Sequence, residues 1–287
     1  MFTRNAPVAQ LDRVPVSETG GHRFDSCQAR HFLFAGLLAF GTSSIAHEHH
    51  WQESEYIHNS FIEIALNNEY SAEVSTVRKW TQPIYYSIIH RTADKDLHQR
   101  ITETHLRHLA SITDTTIQPA SADNKANLRI IFSTEELISQ ELKQDFLLDN
   151  KQLIIDLSRN SVCLAHFSTF PDSSIKQAII IIPVDRARAH AKLLSCVVEE
   201  LTQIMGLPND SDKVFPSIFN DKSHDDYLSG LDLLLLKLLY RPEMKAGMNI
   251  KQVHHQLDKA INEKDFQQLI KDSEQLVHQQ GLYRLLN

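Results

Sequence analysis

The segment that most limits how this chain can fold is Gln177–Val184, QAIIIIPV, in which no polar residue interrupts the run from Ala178 to Ile182. A strand with one wet face alternates apolar and polar positions, so an unbroken run predicts a strand covered on both faces. Leu128–Phe132 (LRIIF) and Val162–Phe167 predict further strands, and Pro83–Ile89 a β-rich one. Helical spacing of apolar residues predicts helices over Ser54–Ala65, Leu97–Ile112 and Glu135–Phe146. It continues in Asp185–Met205, Leu228–Tyr240, Ile250–Ile261 and Asp265–Gln279, with Leu207–Tyr227 a polar, acidic loop. That order predicts the α+β class: a mixed sheet with helices, followed by a helical C-terminal subdomain. Glycine is scarce, with eight in the chain. Gly206 stands just past the long helix, where a residue able to turn left-handed ends a helix.

With 287 residues, 42% of them hydrophobic, the chain can bury a substantial core. Its net charge of −7, from 29 basic and 36 acidic residues, argues against nucleic acid as a partner. Residues 1–31 show no apolar period, and Ala6–Arg30 resembles the mistaken translation of a bacterial transfer-RNA gene. A mis-assigned start codon accounts for that leader; a genuine disordered leader is the alternative. Residues 32–46 combine a basic flank (Arg30, His31), the apolar run Phe32–Phe40 and a small-residue end, which is the pattern of a signal peptide. The run falls short of the ~20 residues needed for a stable membrane span. Cleavage after Ala46 would leave residues 47–287 as an exported domain, periplasmic or secreted. Cys27 lies in the leader, so Cys163 and Cys196 remain and form a disulfide in an oxidising compartment; without export they are two free thiols.

The segment with chemical content is Ser195–Asp212, SCVVEELTQIMGLPNDSD. At 100° per residue, Lys192, Cys196, Glu199, Gln203 and Gly206 share one stripe of a helix, while Leu193, Leu194, Val197, Leu201, Ile204 and Met205 cover the other side. The expectation is a core face and an opposite face that presents two oxygen ligands at i, i+4. A metallopeptidase uses that spacing in H-E-x-x-H, where two His bind zinc and the Glu activates water. The segment resembles the extended metzincin pattern with its imidazoles replaced. Glu199, Gln203 and Asn209 stand at the three ligand positions, Glu200 at the catalytic glutamate and Gly206 at the glycine that turns the chain back. Further on, Pro216–Asn220 is similar to a Met-turn with Phe219 in place of the Met, and Leu228-Ser-Gly-Leu-Asp232 to the helix start that follows it. From about Ile57 to Met248 the chain resembles a zincin-like domain, and more closely an exported proteobacterial family catalogued as a domain of unknown function.

The resemblance implies a zincin-like fold whose cleft binds a peptide, a cell-wall fragment or a protein partner. Losing three imidazoles lowers zinc affinity steeply, while a carboxylate and two amides suit a hard cation such as calcium or magnesium, so the expected cofactor is none or a divalent cation. The leading expectation is a non-catalytic or weakly catalytic domain. The alternative is an active peptidase or other hydrolase with Glu200 as general base, its ion held by atypical oxygen ligands or by Glu199, Asp210 and Asp212. A second alternative is copper or nickel handling by the tract His47-Glu48-His49-His50, in which the new amino terminus, His47 and the His49 imidazole lie within reach of one ion. The pairs His105/His108 and His254/His255 fall on amphipathic helices and are expected to be surface or half-buried residues.

Overall fold

The computed structural model describes residues 50–67, 76–220, 222–223 and 226–285. The leader, the signal-peptide segment, Cys27, His47 and His49 lie outside them. In chain order the elements are α1 (Ser54–Leu66), β1 (Ile84–His90), α2 (Lys95–Thr113), β2 (Ile117–Pro119), β3 (Leu128–Ser133), α3 (Ile138–Gln144) and α4 (Lys151–Asn160). There follow β4 (Leu164–Thr169), β5 (Ile175–Pro183), α5 (Val184–Ala189), α6 (Leu193–Gln203), α7 (Gly230–Leu239), α8 (Ile250–Ile261) and α9 (Lys264–His278). The class is α+β, as expected.

The five strands form one sheet in the order β2-β1-β3-β5-β4. Neighbours are parallel except β4, which runs antiparallel to β5 and forms an edge. In the centre Ile130 of β3 pairs with Ile88 of β1 and Ile180 of β5. Successive side chains on a strand point to opposite faces, and here both faces are covered. Ile130, Phe132, Ile180 and Ile182 enter a large core with Phe61 and Ile64 of α1, Leu106 and Leu109 of α2, and Val197 and Leu201 of α6. Ile131, Ile179 and Ile181 face a smaller core built from Ile138 and Leu142 of α3 with Ile154 and Leu157 of α4. The apolar run of β5 therefore has the environment its composition demands. Each fully buried isoleucine there contributes roughly 2–3 kcal/mol over an exposed one.

Three elements depart from the expectation. The long helix over Asp185–Met205 is two helices, broken where Ala191 adopts a left-handed φ of 56°. The Lys192 amide bonds back to Ala187 O (2.7 Å), and α6 then starts in a new direction. The helix over Glu135–Phe146 shortens to a 3-10 turn and α3. The third is α4, in a stretch where no element was expected; it buries Ile154 and Leu157 and has a capping residue, Asn150, whose side chain accepts from Leu153 N (3.1 Å). The short β2 was also unanticipated.

Candidate functional site

Helix α6 packs between α2 and the β4–β5 edge of the sheet. The disulfide Cys163–Cys196, with Cα atoms 5.9 Å apart, ties the residue ahead of β4 to the first turn of α6. From Ser195 to Gln203 every residue of α6 is buried. This corrects the expectation of one open face: Glu199 is 7% exposed, Glu200 3% and Gln203 4%. A helical wheel shows which residues share a stripe, and neither side of this helix is left to solvent. On the side toward α2, Thr202 Oγ1 donates to Val198 O (2.6 Å) and lies 3.1 Å from Nε2 of the buried His105. Because the threonine proton is already committed, His105 Nε2–H is the donor. Burial pushes His105 down to about 3 and neighbouring His108 to about 4, so both imidazoles are neutral at pH 7.

The end of α6 is held by side chains from far along the chain. Trp80 Nε1 donates to Ile204 O (2.8 Å) and Tyr240 Oη to Met205 O (2.9 Å). Gly206 follows at φ +112°, and a Cβ there would overlap the carbonyl oxygen of Arg78. Only glycine allows this turn. Beside it the Lys79 ammonium is buried and donates to Leu239 O (2.8 Å) and Met244 O (2.8 Å) past the end of α7, which burial accompanies with a fall to about 8. Three consecutive residues, Arg78, Lys79 and Trp80, thus hold α7, α6 and the glycine turn together.

Past Gly206 the chain doubles back along α6. Gln203 Nε2 donates to Asp210 Oδ1 (2.9 Å), so these two positions are brought together. Asn209 turns the other way: its Nδ2 donates to Glu63 O (2.8 Å) and its backbone N–H to Ile64 O (3.1 Å), both in the last turn of α1. Asp212 is half exposed and paired with Lys222 Nζ (2.6 Å). Among the described residues no group of three or more His, Cys, Asp or Glu side chains is arranged to hold a metal ion.

The turn Pro216–Asn220 is fixed from α7. Asp232, fully buried, accepts from Ser217 Oγ (2.6 Å), Ile218 N (3.1 Å) and Ser229 N (2.8 Å), while Ser229 Oγ accepts from Asp232 N (3.1 Å). That reciprocal pair is a capping box for α7. Burial raises the Asp232 carboxyl to about 6 although its hydrogen bonds pull the other way. Phe219 is fully buried, and its carbonyl accepts from Ser211 N (2.8 Å). A continuous path of hydrogen bonds thus runs from Asp232 through the turn to the segment that carries Asn209 and Asp210.

Sequence reading missed Glu63, which accepts from Ser211 Oγ (2.7 Å) and pairs with Lys213 Nζ (3.2 Å). It also missed Tyr56, whose hydroxyl accepts from Phe215 N (2.8 Å), and the Arg78–Trp80 segment. Only tertiary proximity distinguishes these residues, and no local pattern announces it.

Residues 54–259, more than half of the chain, match the family described as Protein of unknown function (DUF2927). Comparison with curated proteins and with solved structures gave no match.

Proposed function

This chain belongs to the DUF2927 family, and we propose that it is an exported, zincin-like domain that binds a peptide, a cell-wall fragment or a protein partner rather than hydrolysing it. The observation that carries this reading is the hydrogen bond between Gln203 and Asp210, backed by that between Asn209 and Glu63. At two of the three ligand positions the amide N–H₂ is used to satisfy an acceptor of the protein itself, where an imidazole would present a lone pair to zinc. Without a strongly bound ion Glu200 has no polarised water to activate.

The zincin-like part of the reading draws support from the helix, glycine hook and Asp232-anchored turn, which follow one another in the order the resemblance implies. Export is supported by the signal-like segment 32–46 and by the disulfide between the cysteines of the remaining chain. For the ligand, the edge strand β4 offers an extended backbone held firmly against α6 by that disulfide, which suits addition of a further strand from a peptide.

Two measurements on purified protein test the reading together. Elemental analysis is expected to find no stoichiometric zinc, and peptide libraries to show no cleavage that Glu200→Gln abolishes. One tightly held zinc per chain, or hydrolysis lost in Glu200→Gln with the fold intact, would replace binding with catalysis as the function.

A further inference from the structure

We infer that His58 and His254 form a binding site for one divalent transition-metal ion, copper or zinc, at the junction of α1 and α8. The two imidazoles come from residues 196 apart in sequence, and His58 Nε2 lies 2.6 Å from His254 Nδ1. The ring centroids are 4.9 Å apart and the planes inclined by 34°. Behind His58, its Nδ1 donates to Asp258 Oδ1 (3.1 Å), a residue one helical turn after His254 on the same face of α8.

A carboxylate that takes the proton of one ring nitrogen fixes the tautomer and turns the other nitrogen outward as a lone pair. That is the arrangement around a metal-bound histidine, and Asp258 provides it for His58. The second lone pair comes from His254 once its proton moves from Nδ1 to Nε2, a tautomer change with no net gain or loss of protons. Two nitrogens bound cis at ~2.0 Å stand ~2.8 Å apart in a square plane and ~3.3 Å apart in a tetrahedron. The observed separation needs to open only slightly, least for copper, and both rings must turn so that their lone pairs leave the line of the present hydrogen bond and converge on the ion. Burial outweighs the attraction of Asp258 and lowers the affinity of His58 for a proton, which leaves the ring neutral and able to ligate. The protein supplies two ligands, and water completes the shell.

The test uses the full chain. Titration with Cu(II) and Zn(II) is followed by calorimetry and by two-dimensional NMR of the histidine ring nitrogens. One ion per chain is expected at this site, with the His58 and His254 ring signals shifting or broadening and the thermal midpoint rising. His254→Ala and His58→Ala should each weaken that binding by at least ~10-fold, and Asp258→Asn by ~10-fold through loss of the fixed tautomer. Unmoved ring signals in the unaltered protein, or equal binding in it and in His254→Ala, would overturn the proposal. Binding confined to the tract 47–50 would leave both the ring signals and the midpoint unchanged and so count against it.

Discussion

Arg78 and Gly206 meet backbone to backbone: the carbonyl oxygen of one fills the space where the other would carry a Cβ, and Gly206 holds φ at +112° to permit it. Gly206→Ala therefore combines a left-handed backbone with a steric overlap against a main-chain atom that cannot rotate away. The expected loss is roughly 3 kcal/mol or more. Chemical denaturation should show the midpoint collapse, and an unchanged midpoint would mean that the turn is not built as described.

Asp232→Asn keeps size and removes an acceptor. Ile218 N–H and Ser229 N–H converge on Oδ2 of the aspartate while Oδ1 accepts from Ser217 Oγ, and an amide offers a single acceptor oxygen in place of these two. A loss of about 2–3 kcal/mol is expected, with the turn 216–220 loosened before the sheet. Hydrogen exchange should register faster exchange at Ile218, Phe219 and Ser211 than at β3 or β5. Uniform acceleration across all of them would disprove the local role.

Acid should weaken the fold well above the pH at which surface carboxylates titrate. His105 and His108 have folded values of about 3 and about 4, below the unfolded value near 6.5. Groups depressed in this way contribute stability that is complete above pH 6.5 and lost as the pH falls toward 4 and 3. Asp232, raised to about 6, works in the opposite sense: its contribution is full below ~4 and lost as the pH climbs through 6. Two histidines outweigh one carboxyl, so urea midpoints should decline steadily from pH 6.5 to pH 4.5. His105→Gln, which keeps a donor for Thr202, should make that decline shallower. A flat profile would show that the two imidazoles are not buried as neutral groups.

Reduction of Cys163–Cys196 should cost about 3–4 kcal/mol, the chain-entropy value for a loop closed over 33 residues. Double replacement by alanine should match the effect of reductant on the unaltered protein. If reductant leaves the urea midpoint unchanged, the bridge is not formed in solution.

Much of the scaffold was legible in the sequence because it is written locally. The unbroken β5 run demands two covered faces, Gly206 marks a turn no other residue could make, and Asp232 lies three residues after a serine that can cap. The break at Ala191 was not legible, since nothing in Arg188–Lys192 disfavours helix; the left-handed residue is imposed by where α6 must lie. The candidate site was half legible. Spacing put Asn209 beside Gln203, whereas Asp210 takes that place and Asn209 turns toward Glu63; that exchange, and the covering of the Glu199 face by other parts of the fold, depend on contacts from distant segments. Histidines 58 and 254 were indistinguishable from surface residues until α1 and α8 were laid side by side.

The anchoring of Lys79 also bears on the order of assembly. Its ammonium is buried against carbonyls that lie 160 and 165 residues downstream, and the indole next to it reaches 124 residues ahead. A nascent chain that has not yet produced residues 239–244 has nowhere to place that cation inside a closed core. Premature collapse around the sheet is therefore opposed by a stranded charge, and the glycine turn that ends α6 is locked only after the ribosome has nearly finished.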